Sequence, residues 1–313
     1  MPISRLFIKN FRPFRELDLD LNKKNLLIRG SNGSGKTSIL EAINLLISRK
    51  SIRTRNLKEC IKEGCEGFSL GLEIKNNNEV LTIKAAKQAN KRISIKTKFG
   101  NTSATKENLP IVQLIQAKDL RMIEGEAELR RDFFNETMFH VEHSSKTEYK
   151  NYKKALSQRN ISLKRKATES ELRVWNEALI ETGNLLAERQ KSFFESIFKK
   201  YLEEKKKNGT GQETFLNQIK LTFKKGWPEG ISFNRALAES ALKDRALGYT
   251  SIGPHRFDFR YFINNKLAKS FLSRGQQKLL ILLNIFKLND ILAAKNKSGI
   301  VYLIDDITSE LDQ

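Results

Sequence analysis

The stretch Leu26–Ile43 reads "LLIRGSNGSGKTSILEAI". Its central part, Gly30–Thr37, matches the pattern G-x-x-x-x-G-K-[ST] at every fixed position. Glycines let backbone N–H groups curl around phosphate oxygens, and a helix that follows turns its positive end toward them. The apolar residues before the glycines predict a short buried strand, and the apolar spacing after Lys36 predicts a helix. The stretch therefore predicts a nucleotide-phosphate site between a strand and a helix.

The residue types of this loop suggest individual roles. We expect Lys36 to reach the β- and γ-phosphates and Thr37 to ligate Mg²⁺, so ATP and Mg²⁺ are the expected cofactors. The full set expected to contact the nucleotide is Gly30, Ser31, Asn32, Gly33, Ser34, Gly35, Lys36, Thr37 and Ser38.

The chain is strongly basic. Its 313 residues include 57 Lys and Arg against 36 Asp and Glu, which gives a formal net charge of +21. A charge of this sign and size favours a polyanion as partner, with nucleic acid first and an anionic membrane surface second. A lysine-rich solvated surface with no such partner is the alternative.

Several other classes of protein are disfavoured. The most apolar run, Leu279–Phe286, is interrupted by Asn284 and is much shorter than a membrane-spanning helix. The first residues, "MPISRLFIKNF", contain no export signal. Cys60 and Cys65 have no second cysteine pair, so neither a zinc site nor a disulfide framework is predicted. We expect a cytoplasmic protein with reduced thiols and no membrane association.

Apolar periodicity divides the chain into a strand-rich part and a helical part. Period-two patterns predict strands up to "PIVQLIQ", and helical patterns begin near Asp119. From Thr168 to about Lys206 we predict a helix of roughly 50 Å, with Lys146–Lys166 as its antiparallel partner. Its seam would comprise Leu172, Trp175, Leu179, Leu186 and Phe193, and Thr168 with Glu171 predicts a capping box at its start. This helix pair is either an arm that touches a ligand or a lobe that only packs.

A second motif lies near the end of the chain, in "GIVYLIDDITSELD". An apolar strand, Val301–Ile304, ends in Asp305 and Asp306. A carboxylate at the end of a buried strand beside a phosphate loop can hold Mg²⁺, and the next carboxylate can orient or deprotonate the attacking water. Many strands end in Asp at a turn, but the phosphate loop earlier in this chain favours the catalytic interpretation.

A third motif is "SFLSRGQQKLLILLNIF". Ser273 is placed as a helix N-cap, and Gly275 and Gln276 open the helix. A small hydroxyl and a glycine at a helix N-terminus can hold an anion, although a capped amphipathic helix has the same pattern.

Together these blocks resemble the ATP-binding-cassette heads of SMC-like ATPases and, within that group, the RecF family of recombinational-repair proteins. The resemblance covers nearly the whole chain. It is carried by "SNGSGKTSILEAI", "LRRDFF", "LSQRN", "SIGPHR", "LSRGQQK" and "LIDDITSELD".

The resemblance implies an α/β fold, with a P-loop ABC-type ATPase head that has a mixed sheet and an inserted all-helical arm or lobe. The head would comprise residues 1–117 and 250–313, and the lobe residues 118–249. Relatives continue beyond the "SELD" turn with a helix, a strand and a switch histidine, whereas the given sequence stops at Gln313. We therefore expect the head to lack its C-terminal part, which bears on whether the chain turns ATP over. Phe257 also stands where the family block commonly continues with acidic residues.

The resemblance also implies how the site works. Two such heads would sandwich two ATP molecules, each held by one protomer's phosphate loop and by Ser273, Gly275 and Gln276 of the other. Asp305 would serve Mg²⁺, and Asp306 takes the place that many relatives fill with Glu. Gln116, with Gln113 as the fallback, would sense Mg²⁺ and water. Glu310 and Asp312 would lie in the loop that crosses the dimer interface.

By resemblance, the expected protein is an ATP-dependent, homodimerising, weakly ATP-hydrolysing DNA-binding protein of recombinational repair and gap processing. Its partners would be duplex DNA, single-strand/duplex junctions and RecO- and RecR-type mediators, and it would be associated with the nucleoid. Arg49–Arg55 and Lys146–Lys166 are the expected DNA-contacting segments. A nucleotide- or DNA-binding scaffold that does not hydrolyse ATP, and a transporter cassette ATPase, share the nucleotide motifs and are the rival functions.

Overall fold

The computed structural model describes residues 2–21, 25–76, 79–104, 108–199, 218–295 and 298–305. The chain forms two compact units, Met1–Ala117 with Asn289–Gln313 and Lys118–Leu288. The first boundary falls where the sequence placed the start of the helical lobe, and the second falls at Leu288 instead of residue 249.

The first unit contains a six-stranded antiparallel sheet with the order β2-β1-β3-β4-β5-β6. In β1, buried Leu6 and Ile8 alternate with outward-facing residues, which is the period of a half-buried strand. The strands are β1 Ile3–Phe11, β2 Phe14–Asp20, β3 Gly67–Asn76, β4 Glu79–Gln88, β5 Ser94–Phe99 and β6 Thr102–Ser103.

Helix α1, Lys36–Ser48, is the centre of this unit. It contacts β1, β3 and β4 of the antiparallel sheet. It also contacts a parallel pair of strands, β7 (Ile111–Gln116) and β11 (Ile300–Asp305). Every residue from Glu41 to Ile47 is buried, a run that covers the whole circumference of the helix. A helix buried on all sides is held by packing, so the loop at its N-terminus has a fixed support.

A buried ion pair joins α1 to the turn between β1 and β2. Glu41, which has no exposed surface, accepts hydrogen bonds from Arg12 Nε and Nη2, both at 2.9 Å, and from the Ser51 hydroxyl. Burial raises the pKa of Glu41, but the hydrogen bonds from Arg12 and Ser51 together outweigh it and leave the pKa below its ordinary value.

The second unit is mainly helical, with one three-stranded sheet. Helices α3 and α4 pack as an antiparallel hairpin, and a capping box of Thr168 and Glu171 opens α4, as predicted. The helices are α2 Ala127–Val141, α3 His143–Lys164, α4 Glu169–Phe193, α5 Phe233–Glu239, α6 Ala241–Leu247 and α7 Arg274–Lys295, of which the residues from Asn289 onward belong to the first unit; the strands are β8 Ile219–Lys224, β9 Asp258–Ile263 and β10 Lys266–Leu267.

The long helix predicted from Thr168 is α-helical over Glu169–Phe193. Of its predicted seam, Leu172, Leu179, Leu186 and Phe193 are buried, and Trp175 is only partly covered. After Phe193 the backbone widens into a π-helical turn, Phe194–Lys199. The predicted continuation to Lys206 lies outside the described residues.

The strand-rich segment near Phe262 pairs within the second unit. Strand β9 is antiparallel to both β8 and β10. Its partner β8 belongs to the part of the chain that the sequence assigned to the lobe. This pairing is the physical reason why the second compact unit extends past residue 249.

The prediction of a buried strand before the phosphate loop is wrong in this structure. Residues 25–30 form no strand, and Leu26 and Leu27 are 51% and 72% exposed. Apolar side chains alone do not make a strand, because the backbone also needs a paired neighbour.

Within the described ranges, the longer helices all carry too little apolar sequence to cross a lipid bilayer.

We predict that Glu41→Ala lowers the free energy of unfolding by about 3 kcal/mol, because it leaves the Arg12 guanidinium largely buried without its partner. Urea denaturation monitored by circular dichroism measures the change. The exposed Glu63→Ala is the matched control and should change stability by less than about 0.5 kcal/mol.

The same carboxylate predicts a pH dependence. Because the folded-state pKa of Glu41 lies below its ordinary value of 4.5, its contribution is complete above about pH 4.5 and is lost as the pH falls below it. The stability of Glu41→Gln should therefore fall less steeply with acidification than that of the wild type. Identical pH profiles would show that this carboxylate is not held below its ordinary pKa.

Candidate nucleotide-binding site

The glycine loop before α1 has the backbone that a phosphate loop requires. Gly33 and Gly35 have φ values of 81° and 96°, in the left-handed region that favours glycine. A Cβ on Gly35 would also lie 2.5 Å from Cζ of Phe14 and 3.0 Å from Cγ of Pro13. The β1–β2 turn therefore packs directly against the last glycine of the loop, a contact that no sequence motif indicated.

The side chain of Lys36 folds back over this loop. Its ammonium donates to the backbone carbonyls of Gly30 at 2.8 Å and Ser31 at 2.9 Å. The cation thus lies within the curve of the loop and beside the N-terminus of α1, where an anion is favoured.

Thr37 meets a residue from the far end of the chain. Its Oγ1 donates to Oδ1 of Asp305 at 3.2 Å, across 268 residues of sequence. Asp305 is the last residue of β11, and Thr37 is the second residue of α1. The contact between helix and strand therefore brings together the two oxygen ligands that the sequence predicted for Mg²⁺.

The register of the parallel pair separates the two glutamine candidates. Gln116 lies opposite Asp305, at the carboxyl end of β7, whereas Gln113 lies opposite Tyr302 in the middle of the strand. The amide of Gln113 donates to the Leu114 carbonyl at 3.4 Å. Gln116 is thus the glutamine at the level of the Thr37–Asp305 contact.

The donor chemistry here fits Mg²⁺ and a nucleotide. Mg²⁺ is commonly held by one or two protein oxygens together with substrate phosphates and water. Thr37 and Asp305 supply such oxygens, and the packing of Phe14 and Pro13 against Gly35 leaves no room for a side chain at that position of the loop. Throughout the described part of the chain, His, Cys, Asp and Glu side chains form no group of three or more suited to a metal ion, so the Mg²⁺ expected at this site would depend on phosphate and water oxygens as well.

The "LSRGQQK" block has a defined geometry in the second unit. Ser273 and Gln276 form a reciprocal cap: the Ser273 N–H donates to Oε1 of Gln276 at 2.9 Å, and the Gln276 N–H donates to Oγ of Ser273 at 3.2 Å. A Cβ on Gly275 would meet no atom within 4 Å, and Ser273 and Gly275 are exposed. The start of α7 is therefore held by its cap and is accessible to solvent, so a ligand could reach it.

The remaining predicted residues divide into two sets. Ser31, Asn32 and Ser34 are exposed on the loop, while Ser38 is only 2% exposed beneath it. Asp306, Glu310 and Asp312 lie outside the described residues.

Comparison with known proteins identifies the family. The protein-family model for the RecF/RecN/SMC N-terminal domain matches residues 2–313 of the sequence. A protein of Saccharophagus degradans named "DNA replication and repair protein RecF" is 33% identical, over 99% of this chain and 84% of its own. The protein of the same name from Actinobacillus pleuropneumoniae is 31% identical, over 100% of this chain and 86% of its own.

Solved structures show the same fold. The ATP complex of a recombination mediator protein RecF of the RecFOR pathway has a TM-score of 0.77 at 22% identity, over 100% of this chain and 86% of that one. A second RecF complex, titled RecF-ATPrS, has a TM-score of 0.79 at 23% identity, over 99% and 86%. The predicted α/β head fold of a P-loop ATPase is thereby confirmed. With the family model and the curated relatives, these findings show that the chain belongs to the RecF family.

Proposed function

We propose that this protein binds and slowly hydrolyses ATP, and that ATP pairs two copies of it around duplex DNA during recombinational repair and gap processing. The observation that carries the proposal is the hydrogen bond between Thr37 and Asp305, which joins the phosphate loop to the acidic strand end. Membership in the RecF family supplies the biological setting, since curated relatives carry the name "DNA replication and repair protein".

Each residue of the site has a role in this proposal. When bound, Mg·ATP supplies the phosphoryl group that is transferred to water. Lys36 offsets the charge of the β- and γ-phosphates, and Thr37 and Asp305 hold the Mg²⁺ ion. Gln116, opposite Asp305 in the sheet, orients the attacking water, and Asp306 accepts its proton.

A second copy of the chain would complete the site. The exposed start of α7 offers Ser273, Gly275 and the positive end of a 22-residue helix. Because Gln276 already fixes the serine through the reciprocal cap, little side-chain conformational freedom would be lost when a γ-phosphate from the other protomer is bound.

The basic surface provides the attraction for DNA. Arg49, Lys50, Arg53 and Arg55 are all exposed after α1. On α3 and the turn after it, the exposed cations are Lys146, Lys150, Lys153, Lys154, Lys164, Arg165 and Lys166. Contacts of this kind neutralise phosphates without reading bases, so DNA structure and partner proteins would set specificity.

Arg159 differs from the other cations of α3. It is 2% exposed, and its guanidinium donates to Asp244 at 2.8 Å, Thr250 at 2.6 Å and Asn176 at 2.7 Å. It therefore fastens α3 to its neighbours and is not proposed as a DNA contact.

The proposed partners follow from the family. The two solved RecF structures are titled as mediators of the RecFOR pathway. We accordingly propose RecO- and RecR-type mediators, single-strand/duplex junctions and a cytoplasmic, nucleoid-associated location for this chain.

The first test is duplex-DNA binding, measured by fluorescence anisotropy with Mg·ATP and then with Mg·ADP. We expect ATP to raise the affinity by about 5- to 150-fold, the range of a typical allosteric coupling. Lys36→Met should remove the difference, because the cation that holds the phosphates is lost. Nucleotide-independent binding by the wild type would contradict the proposal and favour a scaffold that holds DNA by charge alone.

A second test concerns the second protomer. Ser273→Arg should leave ATP binding intact but abolish ATP-driven dimerisation in sedimentation velocity, because the bulky cation blocks only the contact across the interface. Ser270→Arg adds the same charge at an exposed residue three positions earlier and should dimerise as the wild type does. Dimers of Ser273→Arg would exclude the shared site.

Salt provides a third test. If about six phosphates are neutralised, duplex affinity should fall by roughly 10³-fold between about 50 and 200 mM salt. A flat response over this range would show that the positive charge of the chain is not used for DNA.

A further inference from the structure

An open cavity of about 550 Å³ lies on the outer face of the antiparallel sheet, the face directed away from the core. Its lining includes Phe7 from β1, Ser69 and Gly71 from β3, Lys84 and Ala86 from β4, and Lys96 from β5. Neither the nucleotide site nor the proposed DNA-contacting segments include these residues.

Strand register places four of the lining residues in one row. Phe7 lies opposite Gly71, Gly71 opposite Lys84, and Lys84 opposite Lys96. Neighbouring strands are about 4.8 Å apart, so the row spans roughly 14 Å, from an aromatic ring at one end to two ammonium groups at the other. We call these four residues the platform.

Phe7 breaks the pattern of its strand. Leu6 and Ile8 point into the core, so Phe7 shares the outward face with exposed Arg5 and Lys9. The ring of Phe7 is half-buried on this outer face, between two cations along the strand, and it does not belong to the core. An aromatic side chain at such a position is typical of a surface on which a planar group stacks.

Gly71 keeps the neighbouring position open. Its φ is not in the left-handed region, and a Cβ there would meet Phe7 Cβ at 3.5 Å, an ordinary contact. The backbone therefore does not require glycine at this position. Without a side chain at Gly71, and with the small Ser69 and Ala86 beside it, the floor between Phe7 and the lysines stays flat.

The lysine end of the platform carries uncompensated positive charge. Lys84 and Lys96 are exposed, and no carboxylate lies within ion-pair distance of either in the described part of the chain. Lys98, also exposed, follows two residues later on β5. The acids lie at the other end, around Arg5: Asp18 pairs with Arg5 at 2.6 Å, and Asp20 and Glu73 lie opposite Arg5 in the register, so an anion is favoured only at the lysine end.

We propose that the platform binds single-stranded nucleic acid, with a base stacked on Phe7 over Gly71 and the adjoining backbone phosphates at Lys84 and Lys96. The charge complementarity selects a polyanion, and the ring and flat floor select one whose bases are accessible. In a duplex the base faces are stacked on one another and cannot reach Phe7, so a duplex would use the lysines alone.

The biological use of this surface rests on the proposed function: at a gap, it would hold the single strand while the paired heads hold the duplex. The binding itself does not depend on ATP. All tests of the platform are therefore made with Mg·ADP, and the ATP-gated duplex binding of the preceding section is measured separately. The platform can therefore be disproved without disproving ATP-gated duplex binding, and the reverse also holds.

The experiment measures the affinity of the full chain for a fluorescein-labelled oligo-dT of about 15 nucleotides and for a duplex of the same length. Gly71→Val fills the floor with a residue favoured in strands, so it should fold at least as well as the wild type. We expect it to weaken oligo-dT binding by at least fivefold. Phe7→Leu keeps an apolar side chain without the ring and should weaken oligo-dT binding by about 5- to 140-fold, the effect of losing one stacked base.

The lysines are tested by their salt dependence. Lys84→Ala/Lys96→Ala should reduce the slope of log affinity against log salt by about 1.4 for oligo-dT, since two phosphate contacts are lost. Lys58→Ala/Lys91→Ala removes the same charge from two exposed lysines outside the platform and should leave the slope unchanged.

The outcomes decide between the alternatives. Loss of oligo-dT binding in Gly71→Val and Phe7→Leu, with duplex binding retained, supports the platform. Equal weakening of both ligands would show a general phosphate-binding patch and overturn the single-strand assignment. Unchanged binding of both, in variants whose thermal unfolding is normal, would show that Phe7 only covers Gly71 within the sheet.

Discussion

The burial of α1 on all sides is the constraint on which the nucleotide site depends. Its residues from Glu41 to Ile47 pack against strands of two different sheets, and Arg12 and Ser51 hold the carboxylate that lies among them. A helix fixed in this way cannot shift along its axis without opening the core, because packed interiors tolerate few voids. The positions of Lys36 and Thr37 at its first turn follow directly from this packing.

Much of this arrangement could be predicted from the sequence because the signals were local. The pattern of Gly30–Thr37 predicts the backbone conformation of the loop. The spacing of apolar residues in β1, β3 and β4 predicts which face of each strand is buried. Gln116 and Asp305 could be proposed as strand ends, but only the parallel register shows that they lie side by side.

The errors came from interactions between distant parts of the chain. Apolar Leu26 and Leu27 suggested a buried strand, yet strand formation depends on a partner that local sequence does not specify. The close approach of Phe14 to Gly35 and the pairing of β9 with β8 are likewise contacts between segments that are distant in the sequence. The second unit extends past residue 249, where the resemblance had placed the end of the lobe, because of that pairing.

The contact between Thr37 and Asp305 can form only after both residues have been synthesised on the ribosome. At a synthesis rate of about 5–20 residues per second, the 268 residues from Ser38 to Asp305 take roughly 13–54 s to translate. During that interval the glycine loop already exists, but its acidic partner does not. A nascent chain therefore carries the basic segments that precede Asp305 for a long period before its candidate nucleotide site can be complete.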